Sequence, residues 1–368
     1  MLKVGITGQS GFIGTALFNT MGLYPDKYIR VPFEDSWYSN QEKLISFVKK
    51  CDVIVHLAAV NRHSNPQILY DTNIMLVRQL IEAIDISGVR PHVLFSSSIQ
   101  ESLNNPYGKS KLEGQKILQE WAKQTKTAFT GLVIPNVFGE FSKPNYNTFI
   151  ATFSDKLIKG ETVEVIENNS VKLIHIGSLC HFILSHLEQS GIRKIEVPYD
   201  FCMNVTDVLE RLTYFNNLYT KQGIIPILKD RNDLNLFNTF RSYIEPSKMF
   251  LVNHCDERGS FAETIKTGVG GQVSYSITKP SVTRGNHYHT RKIERFIVIK
   301  GKARIELRKI GTDEIISFDL DGTEPAYVDM PVWYTHNITN IGKDDLYTEF
   351  WINEWYDPNN SDTYFEKV

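Results

Sequence analysis

Residues 2–14 run from strand through glycine turn into helix with nothing in between, and few folds accept that order. Leu2-Lys3-Val4-Gly5-Ile6-Thr7 is a short apolar run, Gly8-Gln9-Ser10-Gly11-Phe12-Ile13-Gly14 follows directly, and a helix-compatible stretch comes next. Gly8 permits the tight turn, Gly11 lets backbone N–H groups approach a pyrophosphate at the positive helix end, and Gly14 lets helix and strand pack closely. Residues 53–57 and 92–95 are further buried-strand runs, each preceded by a plausible amphipathic helix at 41–50 and 72–87. Strands alternating with helices predict an α/β fold built on a doubly wound parallel sheet.

The pattern changes after about residue 250. Short β-rich runs at 273–278, 295–300, 303–307 and 346–352 are separated by Gly, Pro and Asp turns, which predicts an antiparallel barrel or jelly roll. A chain of 368 residues holds about two domains. The expected division is 1–245 and 246–368, with the stretches 204–217 and 229–246 closing the first domain as helices and a connector. With 42% hydrophobic and 22% charged residues the chain can bury sizeable cores. A net charge of −2 gives no global attraction to nucleic acid or anionic membrane. Cys51, Cys180, Cys202 and Cys255 lack metal or redox spacing and read as reduced thiols. A core strand at residues 2–6 in place of a leader, and no run of about 18 apolar residues, make a cytoplasmic protein the expectation.

The chemistry of the first half centres on residues 95–111. Phe95-Ser96-Ser97-Ser98 ends a strand, and Tyr107 and Lys111 fall one helical turn apart, on one face. A reductase that sends hydride to a ketone needs a proton donor for the developing alkoxide. Tyr107 can donate if Lys111 lowers its pKa, while Ser98 orients the carbonyl oxygen. A Tyr and a Lys at this spacing are common on solvated helix faces; the glycine turn and the serine-tipped strand make the catalytic reading the stronger one.

With Thr7-Gly8-x-x-Gly11-x-x-Gly14, His56-Leu57-Ala58-Ala59, Asn73, Ser98 and Tyr107-x-x-x-Lys111, the first 250 residues resemble an extended short-chain dehydrogenase/reductase. That resemblance implies a Rossmann-like fold and a cofactor site including Gly8, Gly11, Phe12, Ile13, Gly14, Leu57, Ala58, Ala59, Asn73, Tyr107 and Lys111. Pro135-Asn136-Val137-Phe138-Gly139 is similar to the family's sugar-nucleotide segment, which implies a substrate contact at Asn136. Two departures stand out: Val133 replaces a common arginine, and Gly177-Ser178 replaces an aspartate pair. At the end of the second strand NAD enzymes usually carry an acid and NADP enzymes a base. Arg30, with no acid before Glu34, points to NADPH.

In the second half, His287 and His289 fall on one strand face, Glu294 can return on a neighbouring strand, and His336 supplies a third imidazole. Three imidazoles and a carboxylate suit a divalent metal such as Zn, Fe, Mn or Ni. His-x-His-x4-Glu-x6-Gly followed by Pro-x4-His-x3-Asn resembles the two cupin motifs, with Trp333 at the second motif's glycine. Residues 256–263, Arg284-Gly285-Asn286-His287-Tyr288 and Tyr356-Asp357-Pro358 are also similar to the metal-free cupin sugar-nucleotide epimerases. That second resemblance implies that His287 is a base acting beside a keto group and that Arg258 and Arg284 bind the nucleotide sugar. His287 thus has two candidate roles, ligand or base, and a metal would occupy the lone pair a base needs. Phe350 stands at that family's acidic tyrosine, leaving Tyr334 as a candidate acid.

The order of the two halves, with Pro144-Asn145-Tyr146-Asn147 after the pocket segment, resembles the bifunctional epimerase/reductases of capsular-polysaccharide and lipopolysaccharide synthesis over essentially the whole chain. The resemblance implies a UDP-2-acetamido-2,6-dideoxy-hexos-4-ulose substrate, epimerised at C3 by the cupin domain and reduced at C4 with NADPH to the 2-acetamido-2,6-dideoxy-L-talose derivative. It also implies zinc in the cupin and a homodimer. Alternatives are a sugar-nucleotide epimerase or dehydratase whose cupin serves only dimerisation or sugar binding, an enzyme of TDP-sugars, and a non-enzymatic dinucleotide sensor.

Overall fold

The computed structural model describes residues 1–256, 259–262, 264–267, 270–354 and 356–368, with the backbone course alone at 253–256 and 259–262. The chain divides into two compact units, Met1–Thr152 with Ile166–Val205, and Phe153–Val165 with Thr206–Val368.

The first unit contains strands β1 (Leu2–Thr7), β2 (Tyr28–Val31), β3 (Val53–His56), β4 (His92–Ser98), β5 (Phe129–Ile134), β6 (Asn136–Phe138), β7 (Ser170–His175), β8 (Ile192–Glu196) and β9 (Phe201–Asn204). Helices α1 (Phe12–Gly22), α2 (Gln41–Val48), α3 (Pro66–Ser87), α4 (Pro106–Thr125) and α6 (Ile176–Leu184) cover its main sheet, and α5 (Phe149–Ile158) counts with this unit up to Thr152 and with the second from Phe153. That sheet runs β2-β1-β3-β4-β5-β8, all parallel. Strand residues alternate between two cores. Val4, Ile6, Val53, Val55, Leu94 and Leu132 join Leu17, Met21 and Leu179 on one face, whereas Ile54, Val93, Phe95 and Phe129 join Phe47, Leu80, Leu118 and Trp121 on the other. Both faces are therefore helix-covered, as a Rossmann-like doubly wound sheet requires. β1 pairs with β2 on one side and β3 on the other, so the winding reverses there and opens a crevice at the carboxyl ends of β1 and β3.

The second unit carries helices α7 (Val205–Phe215), from Thr206 onward, and α8 (Arg231–Arg241), then strands β10 (Lys248–Phe250), β11 (Asn253–Asp256), β12 (Gly259–Ala262), β13 (Gln272–Thr278), β14 (Thr283–Tyr288), β15 (Glu294–Lys300), β16 (Lys302–Lys309), β17 (Ile315–Asp321), β18 (Ala326–Met330), β19 (Tyr334–Asn340), β20 (Leu346–Ile352) and β21 (Tyr364–Phe365). Two five-stranded antiparallel sheets, β10-β18-β15-β20-β13 and β17-β16-β19-β14-β21, form the all-β cupin jelly roll. Ala303, Ile305 and Leu307 alternate inward from β16 onto Val298, Val328, Met330 and Ile338. The helices are fastened to the jelly roll by buried polar groups. The Tyr219 hydroxyl donates to Asp329, which also accepts from Arg295 Nε at 2.8 Å, and Arg241 donates to the Met330 carbonyl at 3.2 Å.

Candidate functional site

In the first unit the glycine turn has the close contacts its sequence calls for. Gly8 has φ +70°, and a Cβ there would lie 2.8 Å from the backbone nitrogen of Ala58. A Cβ on Gly14 would lie 2.2 Å from the Gly8 carbonyl oxygen, so any side chain would push α1 off the turn. Phe12 and Ile13 begin α1, packed against the core, and Leu57-Ala58-Ala59 leave β3 beside the turn. His56 is buried between Thr7, whose hydroxyl lies 2.6 Å from Nδ1, and the Phe95 ring. Burial holds its pKa down at about 3, so it is a neutral polar brace between β1 and β3.

Asn73 has both ends of its amide engaged by protein. Its Oδ1 accepts from Val60 N at 2.7 Å, and its Nδ2 donates to the Val60 carbonyl at 3.0 Å and to Ser110 at 2.9 Å. It therefore fixes the loop leaving β3 against the helix that carries Tyr107 and Lys111. Arg30 is exposed at the end of β2, its guanidinium 4.6 Å over the Phe18 ring and 3.3 Å from the Phe18 carbonyl. Asp35 accepts from Ser10 of the glycine turn at 2.5 Å, a contact the sequence did not announce.

Asn105 caps α4 through Gly108 N, and Pro106 opens the helix, which places Tyr107 in its first turn. Lys111 is buried, with Nζ 3.3 Å from Ser96 Oγ, 5.1 Å from the Phe95 ring centre and 5.7 Å from that of Tyr107. Burial pushes the Lys111 pKa down to about 7. Burial, with Tyr146 nearby, pushes the Tyr107 phenol up to about 12. The lowered tyrosine pKa expected from the sequence is thus not seen; burial and the neighbouring Tyr146 both raise it. Tyr107 holds its proton at neutral pH, which is the starting state a donor needs. Ser98 stands at the end of β4 with its hydroxyl accepting from Gln100 N at 3.2 Å. Asn136 is exposed on β6 and donates to the Lys172 carbonyl at 3.3 Å. Tyr146 had no assigned role in the sequence, and only folding brings it near Tyr107.

In the second unit His287, His289, Glu294 and His336 converge, with ligand atoms all within 4.8 Å of one another. A bulge in β14 at Asn286, φ 57°, shifts the register so that His287 pairs with His336. Glu294 Oε2 lies 3.0 Å from His289 Nε2 and 3.1 Å from His336 Nε2. Those separations approach the roughly 3.3 Å edges of a tetrahedral site with bonds of 2.0–2.1 Å. His289 Nδ1 faces the Asp362 carbonyl at 2.5 Å and His336 Nδ1 the Tyr334 carbonyl at 3.3 Å, which leaves each Nε2 lone pair aimed inward. The donor set fits a divalent metal. Although burial opposes ionisation of Glu294, the His289 and His336 imidazoles against its carboxylate hold it well below the usual carboxylate range. Burial, then His336 and His289, lowers His287 to about 4. His287 is half-buried where its three partners are buried.

Arg284 donates instead to Thr278 at 3.0 Å and to the Ile277 carbonyl at 3.2 Å. Arg258 lies outside the described residues. Trp333 adopts φ +60°, the left-handed conformation that explains a glycine at this motif position, and stacks on Tyr288 with ring centres 5.5 Å apart. Asp362 carries no motif in the sequence; its carboxylate accepts from Thr290 N and Oγ1, Arg291 N and Lys292 N, fixing the loop between His289 and Glu294. Cys51 and Cys180 are buried free thiols and Cys202 an exposed one. Among the described residues no helix is long and apolar enough to cross a membrane.

The NAD dependent epimerase/dehydratase family matches residues 4–196, the stretch that carries the glycine turn, Ser98, Tyr107 and Lys111. The chain belongs to this family. A polysaccharide biosynthesis C-terminal domain matches residues 254–364, so the epimerase/dehydratase half is followed by a second known module. The chain is 32% identical to a UDP-2-acetamido-2,6-beta-L-arabino-hexul-4-ose reductase of Pseudomonas aeruginosa, across 99% of this chain and 98% of the relative. Among solved structures it is similar to the capsular polysaccharide assembling protein CapF of Staphylococcus aureus, with 35% identity, full coverage of both chains and a TM-score of 0.62. RMD of Pseudomonas aeruginosa, solved with NADPH, is 16% identical and shares the fold over 59% of this chain and 84% of its own, with a TM-score of 0.54.

Proposed function

We propose that this protein is a bifunctional sugar-nucleotide enzyme that epimerises C3 of UDP-2-acetamido-2,6-dideoxy-hexos-4-ulose in its cupin domain and reduces the C4 ketone in its epimerase/dehydratase-type domain, yielding UDP-2-acetamido-2,6-dideoxy-L-talose for polysaccharide assembly. The observation that carries this reading is the end-to-end likeness to a hexul-4-ose reductase, combined with a Ser98, Tyr107 and Lys111 set in one half and a three-histidine, one-glutamate group in the other. We assign residues 1–245 to reduction and 246–368 to epimerisation, in a cytoplasmic homodimer.

A 4-keto sugar has acidic C–H bonds beside its carbonyl, so C3 inverts by removal and return of a proton, and reduction then fixes the result. Bound at the glycine turn, NADPH supplies the hydride. Ser98 donates to the carbonyl oxygen and orients it, Tyr107 delivers its proton to the developing alkoxide, and Lys111 holds Tyr107 and the cofactor ribose in place. Asn136, Arg258 and Arg284 are assigned to the nucleotide sugar.

In the cupin, His289, Glu294 and His336 would hold a divalent metal, zinc first, whose chemistry is to polarise a carbonyl. His287, the half-buried member, is assigned proton removal at C3. The convergence of all four groups within 4.8 Å favours a second reading, His287 as fourth ligand. His287→Asn separates them: a base variant keeps its metal and loses exchange, whereas a ligand variant loses metal.

Arg30 favours NADPH, and the Asp35–Ser10 contact beside the glycine turn favours NADH as a second reading. The ratio of kcat/KM for the two cofactors in Arg30→Ala and Asp35→Ala decides between them. The test of the function as a whole is NMR of the keto sugar nucleotide in D2O with and without NADPH. Deuterium at C3 without NADPH, and a 4-hydroxy product with it, is the expected result; turnover with no C3 exchange would leave a reductase with a non-catalytic cupin.

A further inference from the structure

A cavity of about 630 Å3 opens between the loop leaving β3 and the loop leaving β4, lined by Asn61, Arg62, His63, Gln100, Asn105 and Tyr107 among others. Its volume falls in the range of small-molecule sites, roughly 300–1,000 Å3. One wall is the phenol assigned as proton donor. Among the described residues no carboxylate lines it, and Arg62 is its single full charge. Arg62 has no hydrogen-bond or ion-pair partner among the described residues and is exposed.

The backbone that carries Arg62 is held on both sides. Asn73 grips Val60 through N–H and carbonyl, and His63 Nδ1 accepts from Asn65 N at 3.0 Å. Asn65 and Asn105 turn their side-chain oxygens onto the first N–H groups of α3 and α4, so those helix ends are already capped by the protein. Recognition of an anion in this cavity therefore falls to the guanidinium. Its planar fork suits phosphate oxygens.

We propose that Arg62 is the diphosphate anchor of the sugar-nucleotide substrate in the reductase site. In a nucleotide sugar the diphosphate sits one pyranose ring from the C4 carbonyl, and Arg62 is the cation that shares a cavity with Tyr107. This inference rests on the reductase reading, and its test separates the two.

The experiment compares wild type, Arg62→Ala and Arg62→Lys, each as the full chain saturated with NADPH. In Arg62→Ala the KM for the keto sugar nucleotide rises about 10- to 100-fold with kcat within about twofold, the change expected for one charge-assisted contact. Arg62→Lys recovers part of the loss. Calorimetry with UDP shows weakening by a similar factor, while uridine binding is unchanged. Unaltered KM and UDP affinity in Arg62→Ala would overturn the proposal, as would equal weakening of UDP and uridine. A raised KM for NADPH alone would also overturn it, by placing Arg62 on the cofactor's phosphates. The UDP measurement needs no turnover, so it decides the role of Arg62 even if the wild type fails to reduce the keto sugar.

Discussion

His289 Nδ1 lies 2.5 Å from the backbone carbonyl of Asp362, a residue 73 positions later, and this contact orients one imidazole of the three-histidine group. The Asp362 side chain completes the clamp by accepting from three backbone N–H groups and one hydroxyl of residues 290–292. Outer partners of this kind set ligand orientation. Asp362→Ala should lower metal affinity about 10- to 100-fold, measured by competition with a chelator. Unchanged affinity would show that the carboxylate clamp on residues 290–292 does not set the site, since the bond from His289 to the residue 362 carbonyl survives the substitution.

Lys111 titrates at 10.5 when unperturbed and at about 7 in its buried site. The unfolded chain therefore binds more protons than the folded one between those values, and stability rises with pH across that window. Below about pH 7 the folded protein carries the full penalty of a buried ammonium. Lys111→Met should raise the Tm most at pH 6 to 7, with the gain shrinking as pH climbs toward 10.5, and should cut reductase activity at least about 100-fold. A Tm difference that does not vary with pH would contradict the assignment.

Trp333 combines a left-handed backbone with a stacked ring, and two variants separate the contributions. Trp333→Ala loses the stacking and keeps the strain; Trp333→Gly loses the stacking and releases the strain. The glycine variant should be more stable than the alanine variant by about 1 kcal/mol in denaturant titration. The reverse order would mean that the turn is not strained.

What was legible in the sequence was local. The glycine turn, the Tyr107/Lys111 pair and the His287/His289 pair follow from strand and helix periods, and the structure keeps them together. What was not legible depends on distant or competing partners. Asp362 is one acid in a polar tail until the chain returns it to residues 289–292. Asn73, assigned to the cofactor by resemblance, has its amide engaged by Val60 and Ser110. The amphipathic pattern of α7 and α8 does not say which core they join, and they fall with the jelly roll, α8 through contacts such as Arg241 with the Met330 carbonyl. The raised phenol of Tyr107 follows from burial, which spacing does not report.

Two sites acting in turn on one keto group can be separated by two substitutions. In D2O, with the keto sugar nucleotide as substrate, Tyr107→Phe should abolish NADPH oxidation, about 100-fold or more, and keep deuterium exchange at C3. His287→Asn should abolish that exchange while still oxidising NADPH with substrate already epimerised. Exchange that survives in His287→Asn and disappears in Tyr107→Phe would contradict the division of labour, because both steps would then belong to the epimerase/dehydratase half.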